Sequence, residues 1–295
     1  VELSVGLVLA AGVTGVFAPV VLKLRATAAR AGCAENLRRM GAAIHQHADA
    51  HAGLLPQNNP DESPAARGSH VTRVLPYLGY EQAVRGYRWD LDWAHPANAA
   101  TVQTRLPVLH CPSAPDPDRW IAGTRSENVG GAQFKAAPSD YVAIPTLTGA
   151  LVPAVFPEDF DRVSVMPSAA PRRRDDVPDG AANTLLVVEI ADKPNHWRGG
   201  KRVQVPDTNE DGYGVWASPG NVNSMRGYSW DGTGFPGPCP MNCSNLYAVY
   251  AFHPGGSNIL FADGTVRFVR QSIDIWVFYA IVTSRGGERL APGDF

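Results

Sequence analysis

The stretch FHPGGSNILFADGTVRFVR, Phe252–Arg270, decides how the chain is read. Asp263-Gly264 stands between two apolar runs, and this dipeptide is a strong hairpin signal because a type I′ turn needs positive φ at both central positions. A two-residue loop sets Ala262 against Thr265, Phe261 against Val266, Leu260 against Arg267 and Ile259 against Phe268. Paired residues share a face, so this register gathers Ile259, Phe261, Val266 and Phe268 on one apolar side. His253 then falls in the preceding turn, at the far end of the strand from Asp263. At a rise of about 3.3 Å per residue the two side chains are about 15 Å apart. A proton-transfer pair needs roughly 3 Å. The pattern of His253, Asp263 and Gly264 therefore reads as a structural signature and not as a catalytic or metal-binding pair.

Outward from the hairpin, NTLLVVEI (Asn183–Ile190) is a continuous β-branched and apolar run, expected as a buried strand. SDYVAIPTL and LYAVYAF supply further strands, Val71–Leu78 is a short helix or strand, and DIWVFYAIV closes the chain as a helix. The region from Pro115 to Arg174 is expected to be mostly irregular, and Lys193–Cys243 is a long insertion rich in Gly, Pro and Asn. The composition agrees with a loop-rich head: 29 glycines and 25 prolines make up about 18% of 295 residues, against a usual share of roughly 12%. With 44% hydrophobic and 18% charged residues, the chain has enough apolar side chains for a sizeable core in one or two domains. A net charge of −2 gives no general attraction to nucleic acid or to an anionic membrane surface.

The opposite end of the chain has a different character. Val1–Leu22 carries one charge, Glu2, and is long enough to cross a bilayer as a helix. Lys23 and Arg25 follow it, the reverse of the order in a secretory signal. Cys33, Leu37, Met40, Ile44 and Ala48 then recur at steps of three and four, which extends the same helix to about fifty residues and roughly 75 Å. Its first half is apolar all round and its second half has one stripe, so it should stand half out of a globular head with the stripe packed on a sheet. Pro19 inside it removes a hydrogen bond and should kink or loosen the chain nearby.

Four cysteines suit two disulfides. Cys239 and Cys243 close a small loop, which leaves Cys33 for Cys111, with free thiols as the open alternative. A structural zinc site at Cys239 and Cys243 is the poorer reading, because no second cysteine pair or histidine stands at the needed spacing. DTNEDGYG places Asp207, Asn209 and Asp211 at alternate positions before Gly212, with the Tyr213 carbonyl as a further ligand, like the first half of a calcium loop. The twelfth-position glutamate is replaced by Ser218, so a bound Ca²⁺ and a solvated loop both stay open. His45, His47 and His51 cluster in sequence, but only His47 and His51 share a helix face, and packing is favoured over metal. No phosphate-binding, dinucleotide or nucleophile-elbow motif is present, so no catalytic residues and no enzyme activity are expected.

Several stretches carry a resemblance: the helix end CAENLRRMGAAIHQHADAHAGLLPQ, then LHCPS, SDYVAI, DGAANTLLVVE, the His-x9-Asp-Gly pattern and the closing SRGGE. Together they resemble a bacterial domain of unknown function that is fused to a prepilin-type N-terminus and is abundant in planctomycetes. The N-terminal run is similar to that of type IV pilins and pseudopilins, in which a glutamate is followed seventeen residues later by a proline. Glu2 and Pro19 have that separation, which sets Val1 at the fourth position of such a segment.

The resemblance implies a type IV pilin-like α+β fold, a long N-terminal α-helix packed on an antiparallel sheet head with long loop insertions. Residues 1–22 would be membrane anchor and then filament core, 23–52 the part packed on the head, and 53–295 the head, with its insertion at about 193–245. It further implies that Glu2, Val5, Leu9, Val13, Phe17 and Pro19 serve filament assembly, Glu2 by pairing with the N-terminal amine of a neighbouring copy. Heterologous contacts of this kind build open helical filaments. The expectation is an extracellular structural subunit, a pilin or pseudopilin, held in the inner membrane before assembly and handled by pilus or type II secretion machinery. The rival is a membrane-anchored binding module, with Trp89, Trp93, Trp197, Trp216 and Trp230 lining a glycan groove.

Overall fold

The computed structural model describes residues 2–57, 67–126, 130–151, 155–168, 171–205, 212–221, 224–288, 290, 293 and 295, with side chains from residue 19 onward. In chain order the regular elements are α1 (Glu2–Ala50), α2 (His70–Val74), α3 (Glu81–Val84), α4 (Ala99–Val102), β1 (Ile121–Thr124), β2 (Gln133–Ala136), β3 (Tyr141–Ala143), β4 (Leu185–Glu189), β5 (His196–Arg198), β6 (Lys201–Val203), β7 (Gly256–Phe261), β8 (Val266–Arg270) and α5 (Ile275–Val282). The architecture is α+β. One long helix packs on an antiparallel four-stranded sheet of order β3-β4-β7-β8, and two small ribbons, β1-β2 and β5-β6, lie outside it.

α1 is continuous through Pro19. Its expected stripe is the buried one: Cys33, Leu37, Met40, Ile44 and Ala48 are fully covered. They meet the sheet at β7 and β8. The approach is close because Gly41 has no side chain, and a Cβ there would stand 2.8 Å from Leu260 Cδ1. Toward the N-terminus the cover ends. Residues 19–28 and Arg30 are exposed, among them Val20, Val21, Leu22 and Leu24. Among the described residues no helix is long and apolar enough to cross a membrane. The expected span, Val1–Leu22, has most of its side chains outside the described residues, as have Glu2, Val5, Leu9, Val13 and Phe17.

The hairpin exists, but its register corrects the expected one. Leu260 pairs with Val266, Ile259 with Arg267 and Asn258 with Phe268. The loop has three residues, Ala262 to Gly264. Phe261 N–H donates to Thr265 O and Gly264 N–H donates to Phe261 O, both at 2.9 Å. Gly264 alone takes positive φ (86°), and Asp263 Oδ1 accepts from the Thr265 N–H and hydroxyl. Such a turn followed by a left-handed glycine is the common three-residue alternative to type I′. The added residue turns every β8 side chain over. Val266 therefore lies with Leu260 on the helix face, while Ile259 and Phe261 join the core on the other side.

That second core is closed by α5, where Asp274 caps the first turn by accepting from Trp276 N–H and Phe278, Tyr279, Ile281 and Val282 are buried. The sheet is thus the middle layer of three. Within Asn183–Ile190 the strand β4 is buried along its whole length, and SDYVAI contains β3. Val71–Leu78 is helical, capped by Ser69, whose Oγ accepts from the N–H groups of Val71 and Thr72. LYAVYAF does not form a strand. Tyr250 and Val249 make only isolated bridges, to Ile190 and Met241. The β1-β2 ribbon lies in the region expected to be irregular.

Candidate functional site

The elements converge where α1 leaves the head. Cys33, near the boundary between the exposed and covered parts of the helix, is bonded to Cys111, which follows a single 3₁₀ turn at Pro107–Leu109. The Cys111 N–H donates to Asp140 Oδ2 at 2.8 Å. Asn36, one turn after Cys33, donates through Nδ2 to His110 O (2.9 Å) and to Tyr141 Oη (3.3 Å). On the sheet side Asn258 Nδ2 donates to Arg30 O, and the Arg30 guanidinium lies 4.7 Å over the Phe268 ring. The neck of the helix is held covalently and by side chains from three separate segments.

Against the disulfide lies a buried acid and base. His253 Nε2 is 3.6 Å from Cys111 Sγ and 3.2 Å from Glu189 Oε1, and its Nδ1 is 3.1 Å from Ser113 Oγ. Glu189 Oε2 accepts from Ser257 Oγ and from the Asn258 N–H, each at 2.9 Å. Both side chains are fully covered. A carboxylate in such a place is tolerated only when paired and hydrogen-bonded, and here both of its oxygens are engaged. Burial, with Glu189 as the next cause, pushes the Tyr141 hydroxyl well above its usual range, so Tyr141 stays protonated and donates to Cys33 O.

Beside the cluster a second polar group joins the loops. Arg119 is ion-paired with Asp140 and donates to the carbonyls of Lys193 and Asp116 at 2.7 Å. Asp192 accepts from the Asp116 N–H, Asn195 Nδ2 and Trp197 Nε1. Asp140 therefore serves both groups, fixing Cys111 through one oxygen and Arg119 through the other. A buried network is stabilising only when every member is satisfied, and this one is extensively connected.

Chemically, the cluster is a closed fastening. Cys33, Cys111, Glu189 and His253 are 0–3% exposed, so any reaction with an outside molecule requires the neck to open. One ligand atom from each of the four lies within 4.8 Å of all the others, the one such group among the described residues, although the disulfide withholds the sulfurs.

The other candidate residues fall elsewhere. His253 and Asp263 flank β7 at opposite ends, and His253, expected in a turn or at the core edge, is in the turn but 3% exposed. His47 and His51 stack at 4.0 Å between ring centroids, while His45 Nε2 is 3.0 Å from Ala262 O at the hairpin tip. Asp207, Asn209 and Asp211 lie outside the described residues. Tyr213 carries Lys193 Nζ over its ring at 4.1 Å. Cys239 and Cys243 are bonded within the insertion. Trp93 and Trp216 are fully buried, whereas Trp89 and Trp230 are exposed. The part played by Glu189 was missed in the sequence. Its only signal is an acid closing the apolar run LLVV, where a buried strand ends.

Residues 23–275 match the family described as a protein of unknown function, DUF1559 (SBP_bac_10). The chain belongs to this family. The DUF1559 match begins in the exposed turn of α1 and ends at the start of α5, so it contains the whole neck cluster. CAENLRRM, LHCPS, DGAANTLLVVE and the His-x9-Asp-Gly pattern each deliver one member of that cluster: Cys33, Cys111, Glu189 and His253. No curated protein and no solved structure matches the chain.

Proposed function

We propose that this DUF1559 chain is a structural subunit, pilin or pseudopilin in kind, of an extracellular helical filament built through α1. The supporting observation is the uncovered part of the helix. From Pro19 to Ala28 its residues are exposed, and Val20, Val21, Leu22 and Leu24 are 43–64% exposed. Leaving such side chains in water forfeits about 25 cal/mol for each Å² of apolar surface. Helices of neighbouring copies, laid side by side and continued toward residue 1, would cover them. Glu2 in that environment needs a cationic partner, which a neighbour's terminal amine provides.

The cluster at the neck fits the same reading. A head carried on the outside of a filament transmits any pull through the junction between helix and head, and there the chain has its long-range disulfide and its Asn36 and Asn258 anchors. The test is electron cryomicroscopy of sheared surface material, with Leu22→Asp/Leu24→Asp as the comparison. Ordered filaments with α1 at the axis, lost in the variant while the head remains folded, support the proposal. Dispersed or membrane-retained monomers in the parent chain would sink it and favour the anchored module.

A further inference from the structure

We propose that, when the Cys33–Cys111 disulfide is reduced, the neck cluster is a tetrahedral site for a thiophilic divalent ion of the zinc class. The ligands are Cys33 Sγ, Cys111 Sγ, His253 Nε2 and Glu189 Oε1. Zinc bonds of about 2.3 Å to sulfur and 2.0–2.2 Å to nitrogen and oxygen give tetrahedral edges of roughly 3.3–3.8 Å. The four donor atoms already lie within 4.8 Å of one another. Side-chain shifts of about 1 Å, with the two sulfurs released from each other, complete the geometry.

The outer partners of such a site are in place. A ligating histidine ordinarily donates its other ring N–H to a fixed acceptor, which sets tautomer and ring orientation. Ser113 Oγ stands 3.1 Å from His253 Nδ1 for that purpose. Glu189 is likewise oriented: Ser257 Oγ and the Asn258 N–H occupy Oε2 and leave Oε1 3.2 Å from His253 Nε2. The ligands come from α1, the loop after the 3₁₀ turn, the end of β4 and the turn before β7. An ion there would tie the same segments that the disulfide ties.

The chemistry balances without an unstated reagent. A dithiol passes two electrons and two protons to the Cys33–Cys111 bond and becomes a disulfide itself. Metal then displaces the two thiol protons to solvent, with its oxidation state unchanged. Every chain is synthesised with thiols, so the reduced cysteines precede the disulfide. Ion and disulfide exclude one another, because the sulfurs either bond together or ligate.

The experiment uses the full chain in mild detergent, with Cys239→Ala/Cys243→Ala to leave one cysteine pair. It is reduced with a phosphine under argon and titrated with Co²⁺. One equivalent should produce tetrahedral d–d bands and a thiolate-to-cobalt transition, both abolished by Zn²⁺ and absent from the oxidised chain. Ser113→Ala should weaken binding about 10–100-fold with the fold intact by circular dichroism. If the reduced chain is unfolded, recovery of its spectrum on adding one equivalent of Zn²⁺ supports the site, and no recovery overturns it. A folded, reduced chain without the bands overturns it as well. So do bands undiminished in His253→Ala, which would mark adventitious thiolate binding.

Discussion

Within α1, the turn that ends at Ala28 and the turn that begins at Cys33 are close neighbours on one helix, yet their surroundings are opposite. From Cys33 to Ala48 the apolar stripe is sealed against β7 and β8, with polar residues such as Glu35, Arg38 and Arg39 on the other side. From Pro19 to Leu24 the apolar side chains are exposed. Helical propensity does not separate the two parts. What separates them is the extent of the sheet, and the long-range disulfide lies near that border. One part of the helix belongs to the fold of a single chain, while the other presents its apolar side chains to the surroundings.

The comparison is broken most severely at its border. Cys33→Ala/Cys111→Ala removes a crosslink of sequence separation 78, and loop-closure entropy puts the loss at about 4.5 kcal/mol. Removing Cys239–Cys243, with a separation of 4, should cost only about 2 kcal/mol. Urea titration of both double variants measures the difference, and equal losses would mean that the neck crosslink constrains the unfolded chain less than its length requires.

Inside the covered half, Leu37→Ala should cost about 3 kcal/mol, since a fully buried leucine leaves a cavity. A loss below 1 kcal/mol would show that helix and sheet are loosely packed. His47, in the same half, sharpens the contrast through pH. Burial, and next the charge of His51, pushes its pKa down to about 4 from an ordinary 6.5. The unfolded chain therefore binds more protons between those values, so stability present above pH 6.5 falls as pH drops toward 4 and then levels off. The loss is roughly 2–3 kcal/mol. His47→Leu should remove that share, leaving a shallower acid dependence in urea midpoints measured from pH 7 to 4; identical slopes would count against it.

The smallest effect is expected in the uncovered half. Leu24→Ser, at a side chain 63% exposed, should change single-chain stability by no more than about 0.5 kcal/mol. The same substitution should reduce filament yield in sheared preparations. A large loss of single-chain stability would instead place residue 24 in contact with its own head.

How much of this was legible follows from pattern length. The helix stripe was readable because five apolar positions recur over sixteen residues, far longer than chance spacing sustains. Asn183–Ile190 was readable as a strand for a similar reason, as a long β-branched run. The hairpin was readable as a hairpin but not in register. Both faces of β7 are buried, so no polar side existed to reject a one-residue slip, and the choice fell to the turn at Gly264. LYAVYAF has the composition of a strand but found no ladder partner.

The long helix and its covered stripe are legible in the sequence alone, because they depend on a periodicity carried within one continuous segment. The sequence leaves Cys33 for Cys111 by elimination, as found, but the meeting of that disulfide with Glu189 and His253 comes from the tertiary structure. Cys33, Cys111, Glu189 and His253 come from segments separated by at least sixty residues, and no spacing rule links them. Only the antiparallel pairing of β4 with β7, and the seating of α1 on that sheet, brings an acid, a base and two sulfurs to one buried point.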